Sequence, residues 1–123
     1  MKIILDTHIF LWSLAEPEKI SKAKIKEIKS LSNTVYVSSI TIAELMIKAS
    51  LGKLQIDFNP AVLAEKSGFQ LLDFSGDDAV PLKDLPFHHK DPFDRMLIAQ
   101  SITRKISIMT DDSKFRPYGC KLI

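Results

Sequence analysis

Cysteine is almost absent from this sequence, and that absence excludes several kinds of protein. Cys120 is the only cysteine among 123 residues, so neither an intrachain disulfide nor a cysteine-based zinc site can form. No apolar run approaches the length of a membrane span. Asp6 interrupts the first apolar residues too early for a secretory signal. We therefore expect a protein of a reducing cytoplasm with no membrane segment.

Glycine is also scarce, and its placement argues against a nucleotide-binding loop. The four glycines form neither a GxGxxG motif nor a P-loop. The three histidines lack the spacing of a zinc site: His8 is interpreted as a packed or turn residue, and His88 and His89 as part of a solvated loop. The net charge of +2 permits an anionic partner without requiring one.

Short apolar runs alternate with helical patterns along the chain, which is long enough for one domain, residues 1–123, with its own core. Strands are predicted at 3–5, 35–37, 69–72 and 106–109, with 120–123 as a candidate edge strand. Helices are predicted between them. This alternation favours an α/β fold, a three-layer sandwich in which helices flank a central, mostly parallel sheet of four to five strands.

The stretch from His88 to Gln100 changes from a polar loop into an apolar helix. Asp91 suits the N-cap, Pro92 suits the first helical position, and Asp94 falls in the first turn, where the helix dipole favours a negative charge. The residues that follow are apolar on most of the helix surface, so the helix is predicted to pack on the sheet. Asp94 is therefore expected to be held rigidly at the mouth of a buried element.

Ligands of parallel sheets bind beyond the carboxyl ends of the strands, and this rule selects four acids. Asp6 follows the first strand and Asp112 follows the fourth, while Glu44 and Asp94 are expected in the first turns of helices at the same edge. Two charges about 4 Å apart repel by roughly 4 kcal/mol at an effective dielectric of about 20. Such a cluster takes up protons or binds hard cations such as Mg²⁺ or Mn²⁺, which suit phosphoryl chemistry.

Each acid also has a purely local interpretation. Asp6 and Asp112 are suited to capping the turns that follow them. Thr41-x-x-Glu44 matches a capping box, in which the glutamate reaches back to the N-cap amide. Asp91 is expected to serve chiefly as the N-cap of the helix that begins at Pro92. Local pattern alone does not decide between cap and ligand for any one of these acids.

Four segments, considered with their order and spacing, span nearly the whole chain. They are Ile4-Leu5-Asp6-Thr7-His8 with Leu11-Trp12, Ser38 to Glu44, Asp91 to Gln100, and Thr110-Asp111-Asp112. Read together, these segments resemble the PIN-domain ribonucleases, and within that family the VapC-type toxins of toxin–antitoxin pairs. The resemblance implies a metal site for Mg²⁺ or Mn²⁺ made of four carboxylates, namely Asp6, Glu44, Asp94 and Asp112. It also implies that Thr110 orients a ligand and that Asp91 is an accessory acid.

The same resemblance implies an activity and two partners. The activity is metal-dependent cleavage of RNA phosphodiester bonds by an endoribonuclease. The partners are a second copy of the chain, in a homodimer, and a VapB-type antitoxin that holds the toxin inactive. Apolar residues of the predicted helix that contains Glu44, and of its exit, are candidates for a partner groove, or alternatively for the core; they are Met46, Ile47, Leu51 and Leu54.

Two other functions stay open at this point. A phospho-acceptor signalling domain also clusters acids at strand ends, but it needs a lysine after a late strand, where this chain has Thr110-Asp111-Asp112. A non-catalytic RNA- or protein-binding module on the same scaffold is the second alternative. A cleavage assay that depends on metal distinguishes the enzyme from that module.

Overall fold

A parallel sheet of four strands forms the centre of the computed structural model, which describes residues 1–123. The strands are β1 (Lys2–Leu5), β2 (Thr34–Ser38), β3 (Gln70–Leu72) and β4 (Ser107–Met109), in the order β3-β2-β1-β4. Every neighbouring pair is parallel, as predicted. The candidate fifth strand is reduced to one isolated parallel bridge between Ile108 and Leu122.

Six α-helices connect and cover the strands. They are α1 (Thr7–Ala15), α2 (Lys22–Lys29), α3 (Ser39–Ser50), α4 (Pro60–Lys66), α5 (Gly76–Ala79) and α6 (Pro92–Arg104). Three 3₁₀ segments complete the chain, at Pro17–Lys19, Val80–Lys83 and Ser113–Tyr118. No helix has the length and hydropathy of a membrane span.

Side-chain caps fix where several of these helices begin. Ser21 accepts a hydrogen bond from a backbone N–H at the start of α2, and Asn59 does the same for α4. Asp91 accepts from the N–H of Phe93 (2.9 Å) and of Asp94 (3.1 Å) at the start of α6. These bonds satisfy backbone donors that have no partner inside the helix. The predicted cap at Asp91 is confirmed.

The sheet separates two hydrophobic clusters, as the alternation of side chains along a strand requires. Ile3 and Leu5 point into one cluster, with Phe10 of α1 and Leu45 of α3, and all four are fully buried. Ile4 lies in the other cluster, which includes Leu97 and Ile98 of α6. Both faces of β1 are therefore covered, and the predicted three-layer α/β arrangement is confirmed. The carboxyl ends of β1 and β4 lie side by side.

One buried ion pair fastens α5 to α6. Asp78 is fully buried, forms a capping box with Ser75, and accepts hydrogen bonds from Nε and Nη2 of Arg104, both at 3.0 Å. Burial alone would raise the pKa of Asp78, but the hydrogen bonds from Arg104 and Ser75 outweigh burial and lower the pKa below its usual range. This contribution to stability is present at neutral pH and is lost as the pH falls through the lowered pKa.

Asp78→Asn is therefore expected to destabilise the protein at pH 7 by about 1–2 kcal/mol, because it weakens the pair with Arg104 and the cap. At a pH below the ordinary range of aspartate, variant and wild type should become equally stable. Urea unfolding at pH 7 and at low pH measures both. The control is Asp77→Asn, which makes the same change at the exposed neighbour. A difference in stability that persists unchanged in acid would contradict the assignment.

Candidate functional site

The first acid of the site follows β1 directly and is almost completely buried. Asp6 is 4% exposed, caps α1 by accepting from the N–H of Ile9 (2.8 Å), and accepts through its other oxygen from the hydroxyl of Thr110. Burial raises the pKa of Asp6, and these two hydrogen bonds oppose that effect. Thr110 is the residue after β4, so the bond ties together the ends of the two adjacent strands. The local capping interpretation of Asp6 is confirmed, and one carboxylate oxygen is turned toward the end of β4.

Glu44 is brought to the same region by α3, but not from the first turn of that helix. The prediction of a first-turn position is wrong, because Ser38 rather than Thr41 caps α3. Glu44 therefore forms no capping box, and it is 4% exposed. Its Oε1 accepts from the hydroxyl of Thr7 (2.6 Å), and its Oε2 accepts from Nζ of Lys48 (2.6 Å). Because Thr7 adjoins Asp6, the bond to Glu44 links α3 to the end of β1.

Asp94 lies in the first turn of α6, as predicted, and its electrostatic environment is unfavourable for a charge. Burial is the largest cause that raises its pKa, to about 6. The negative charges of Asp91, Glu44 and Asp6 raise it further, whereas His89 lowers it. Asp91, three residues before Asp94, and two acids from distant parts of the chain, Glu44 and Asp6, are thus near enough to Asp94 to repel its charge. A bound cation would relieve this repulsion.

A histidine lies between Asp94 and the fourth acid, Asp112. His89 is only 7% exposed, and its Nε2 is 2.8 Å from Oδ2 of Asp94 and 3.5 Å from Oδ2 of Asp112. Asp112 follows β4 and caps the 3₁₀ segment by accepting from the N–H of Lys114 (2.9 Å). The prediction that Asp112 caps the turn after it is therefore confirmed. The prediction of a solvated loop is wrong for His89 and right for His88, which is exposed.

Asp6 and Asp112 also share an open cleft of about 270 Å³. His8 lines this cleft from the first turn of α1 and is exposed, so of its two predicted roles, a packed or a turn residue, the packed one is wrong. Its ring lies 5.9 Å from that of Trp12. Asp111 is engaged by the ammonium group of Lys24 at the rim. The geometry is consistent with the expectation that Asp112, rather than Asp111, belongs to the acidic site.

The four predicted acids are therefore neighbours, although they are not equally close. Ligand atoms of His89, Asp94 and Asp112 lie within 4.8 Å of one another, and this set does not include Asp6 or Glu44. Asp6 adjoins this set through the hydroxyl of Thr110, which donates to Asp6 and accepts from the N–H of Asp112. The charges of Asp6 and Glu44 also raise the pKa of Asp94.

The donor set fits a divalent cation. Carboxylate oxygens are the ligands that hard cations such as Mg²⁺ and Mn²⁺ prefer. Burial raises the pKa of both Asp6 and Asp94, which indicates negative charge that the protein itself compensates poorly. A cation at this edge of the sheet would compensate that charge.

Thr110 provides a test of how the site is held together. Its hydroxyl donates to Asp6 and accepts from the N–H of Asp112 (3.0 Å), so Thr110→Val removes one bridge between two acids. We expect Mn²⁺ affinity, measured by calorimetry, to fall about 10-fold, as for other partners of metal ligands. Thr103→Val, at an exposed position of α6, is the matched control. Unchanged affinity in Thr110→Val would show that this bridge does not orient ligands.

Comparisons with known proteins address the fold and the family. The family model described as PIN domain matches residues 3–119. No curated protein matches the sequence significantly.

Several solved structures have the same fold at low sequence identity. VapBC2 from Rickettsia felis, bound to a DNA fragment from its promoter, is 20% identical, with a TM-score of 0.76 over 100% of this chain and 98% of that chain. VapBC-1 from nontypeable Haemophilus influenzae is 17% identical, with a TM-score of 0.73 over 100% and 97%. VapBC-5 from Mycobacterium tuberculosis, a member of the VapBC family of toxin-antitoxin systems, is 20% identical, with a TM-score of 0.60 over 99% and 95%.

Proposed function

Because this chain belongs to the PIN domain family, we propose that it is a metal-dependent endoribonuclease that hydrolyses RNA phosphodiester bonds. PIN domains are in general nucleases, so membership supports a hydrolase that acts on nucleic acids. One observation supports the more specific proposal of metal-dependent RNA cleavage. Four acids from distant parts of the chain meet at one edge of the sheet, and burial and mutual repulsion raise the pKa of Asp94 there.

Asp6, Glu44, Asp94 and Asp112 are the residues that would hold one or two Mg²⁺ or Mn²⁺ ions. When bound, such an ion lowers the pKa of water and stabilises the charge that develops on the scissile phosphate. The chain's own contribution is to fix the carboxylates beforehand. Thr7 holds Glu44, and Thr110 holds Asp6, so little reorganisation is needed at the moment of reaction.

Water is the attacking group in this proposal, because no serine, threonine or cysteine of the site is paired with a base as a nucleophile would be. The hydroxyls of Thr7 and Thr110 are both committed to carboxylates. Cys120 lines a separate cleft beside Ile102 and Lys105 that contains none of the four acids. Burial raises the pKa of its thiol, which disfavours the reactive thiolate.

Basic side chains near the acids supply the attraction for an RNA backbone. Lys114 and Arg116 are exposed on the 3₁₀ segment that follows Asp112, and Lys90 is exposed beside His89. Arg95 and Arg104 do not take part, since the first is buried and the second pairs with Asp78. Contacts of this kind are independent of sequence and weaken as salt is added.

We also infer that the protein is the toxin of a VapBC-type pair, with a VapB-type antitoxin and a second copy of this chain as partners. The solved VapBC structures of the same fold support this inference. Apolar side chains of α3 and its exit are available for a partner: Met46, Ile47 and Leu51 are 39%, 45% and 63% exposed. Leu54 instead packs against the core, so the core alternative applies to Leu54 alone.

A cleavage assay tests the enzymatic proposal. The purified chain should cut RNA in the presence of Mg²⁺ or Mn²⁺, should lose that activity in EDTA, and should regain it when the ion is restored in excess. Because cleavage by a contaminating nuclease is a risk, Asp6→Asn purified in parallel is the control. RNA binding without cleavage under all of these conditions would favour the non-catalytic module instead.

A further inference from the structure

We propose that His89 is a positioning residue of the acidic site: it holds Asp94 and Asp112 at a fixed separation and is not itself a ligand of the ion. This inference rests on the proposed function, because it assigns a role within the same site. The observation behind it is the position of one ring nitrogen, Nε2, which is buried and faces both carboxylates.

The tautomer of His89 follows from its other ring nitrogen. Nδ1 accepts a hydrogen bond from the backbone N–H of Asp91 at 3.3 Å. A nitrogen that accepts carries no proton, so in the neutral ring the proton lies on Nε2. A protonated nitrogen has no lone pair to offer a metal. The ring therefore presents an N–H donor to the two carboxylates. Distance alone would also allow Nε2 to be a metal ligand, because the ligand atoms of His89, Asp94 and Asp112 lie within 4.8 Å of one another.

The contacts of Nε2 are those of a donor shared between two acceptors. It lies 2.8 Å from Oδ2 of Asp94 and 3.5 Å from Oδ2 of Asp112, and its N–H is well aligned with neither oxygen. A shared donor attracts both carboxylates at once and offsets part of their mutual repulsion. Oδ2 of Asp94 is the oxygen that faces the ring.

His89 is itself held on three sides, as expected of a group that sets the position of others. Its backbone N–H donates to the hydroxyl oxygen of Tyr118 (2.6 Å), and its carbonyl accepts from Nη1 of Arg95 (3.3 Å). Its ring stands edge-on to Phe115, with centroids 5.8 Å apart. These contacts come from α6 and from the 3₁₀ segment after Asp112, the same two elements that carry the acids it joins.

The test uses Mn²⁺ alone as the probe, on the full chain, and reads binding and coordination by electron paramagnetic resonance. His89→Gln keeps an N–H donor at a similar reach, His89→Leu removes it, and His88→Leu is the matched control at the exposed neighbour. His89→Leu should weaken Mn²⁺ binding about 10- to 100-fold, as loss of a partner of metal ligands does. His89→Gln should restore most of that affinity, and His88→Leu should change nothing.

Three results would overturn the inference while leaving the proposed function intact. The first is an imidazole nitrogen coupled to Mn²⁺ in the wild type and lost without His89, which would make His89 a ligand. This measurement on the wild type does not depend on any variant folding. The second is wild-type affinity in His89→Leu, and the third is equal weakening in His89→Gln and His89→Leu. A wild type that binds no Mn²⁺ would contradict both the inference and the metal-dependent function.

Discussion

Asp94→Asn is expected to abolish RNA cleavage and to leave the protein folded. The substitution keeps the shape of the side chain and removes the charge that a metal needs. Loss of a partner of metal ligands costs about 10- to 100-fold, so loss of a ligand should cost more than about 100-fold in rate. The fold should not suffer, because the charge of Asp94 is disfavoured by burial and by its acidic neighbours, which raise its pKa to about 6.

The measurement is single-turnover cleavage of RNA in Mn²⁺, with thermal unfolding in EDTA as the check on folding. Asp77→Asn is the matched control, since it makes the same chemical change at an exposed acid of α5. Asp94→Asn should unfold at a temperature equal to or slightly above that of the wild type. Cleavage by Asp94→Asn at the wild-type rate would remove Asp94 from the site.

The largest loss of stability is expected from Arg95→Ala. Arg95 is 6% exposed, and its guanidinium has no carboxylate partner. It donates instead to the carbonyls of Leu85 (2.9 Å), Pro86 (2.7 Å) and His89 (3.3 Å), and it stacks on the ring of Phe87 at 3.9 Å. Its removal leaves the carbonyls of Leu85 and Pro86 without this donor, the first of them buried, and also loses the packing on Phe87, which together should cost about 3 kcal/mol.

Urea unfolding measures the loss of stability in Arg95→Ala. Two further variants identify which property of the arginine side chain causes it. Arg95→Lys has one ammonium group in place of the planar fork, so it should recover only part of the stability. Arg116→Ala removes an exposed arginine and should change stability by less than about 0.5 kcal/mol. We also expect Arg95→Ala to bind Mn²⁺ more weakly, because the segment that carries His89 loses its anchor. Stability equal to the wild type would show that this segment is held by other contacts.

Local signals were sufficient to predict most of the elements. The caps at Ser21, Asn59 and Asp91 are short-range interactions between a side chain and the next backbone amides, so each could be recognised from a few residues. The apolar run Ile3-Ile4-Leu5 predicted a strand buried on both faces, and all three residues are fully buried. The candidate fifth strand is a shorter pattern, interrupted by Lys121, and it forms a single bridge at Leu122 with three backbone hydrogen bonds to Ile108 and Thr110.

The predictions were wrong where two residues compete to cap the same helix, or where contacts with residues distant in sequence decide the outcome. Ser38 and Thr41 are both good caps, and Ser38 begins α3, which moves Glu44 from the first turn to the second. The burial of His89 depends on Tyr118 and Phe115, which lie more than twenty residues further along the chain. The sequence around His89 therefore could not predict those contacts. The acids at the strand ends could be found from the sequence, but the group that joins two of them could not.

The central claim is that Asp6, Glu44, Asp94 and Asp112 share a divalent ion at the end of β1. Anomalous diffraction from crystals of the wild-type chain grown with MnCl₂ tests it most directly. The account predicts an anomalous peak between these four carboxylates, with no direct bond from the ion to His89. A strong peak elsewhere on the protein with none between the four acids would contradict the account.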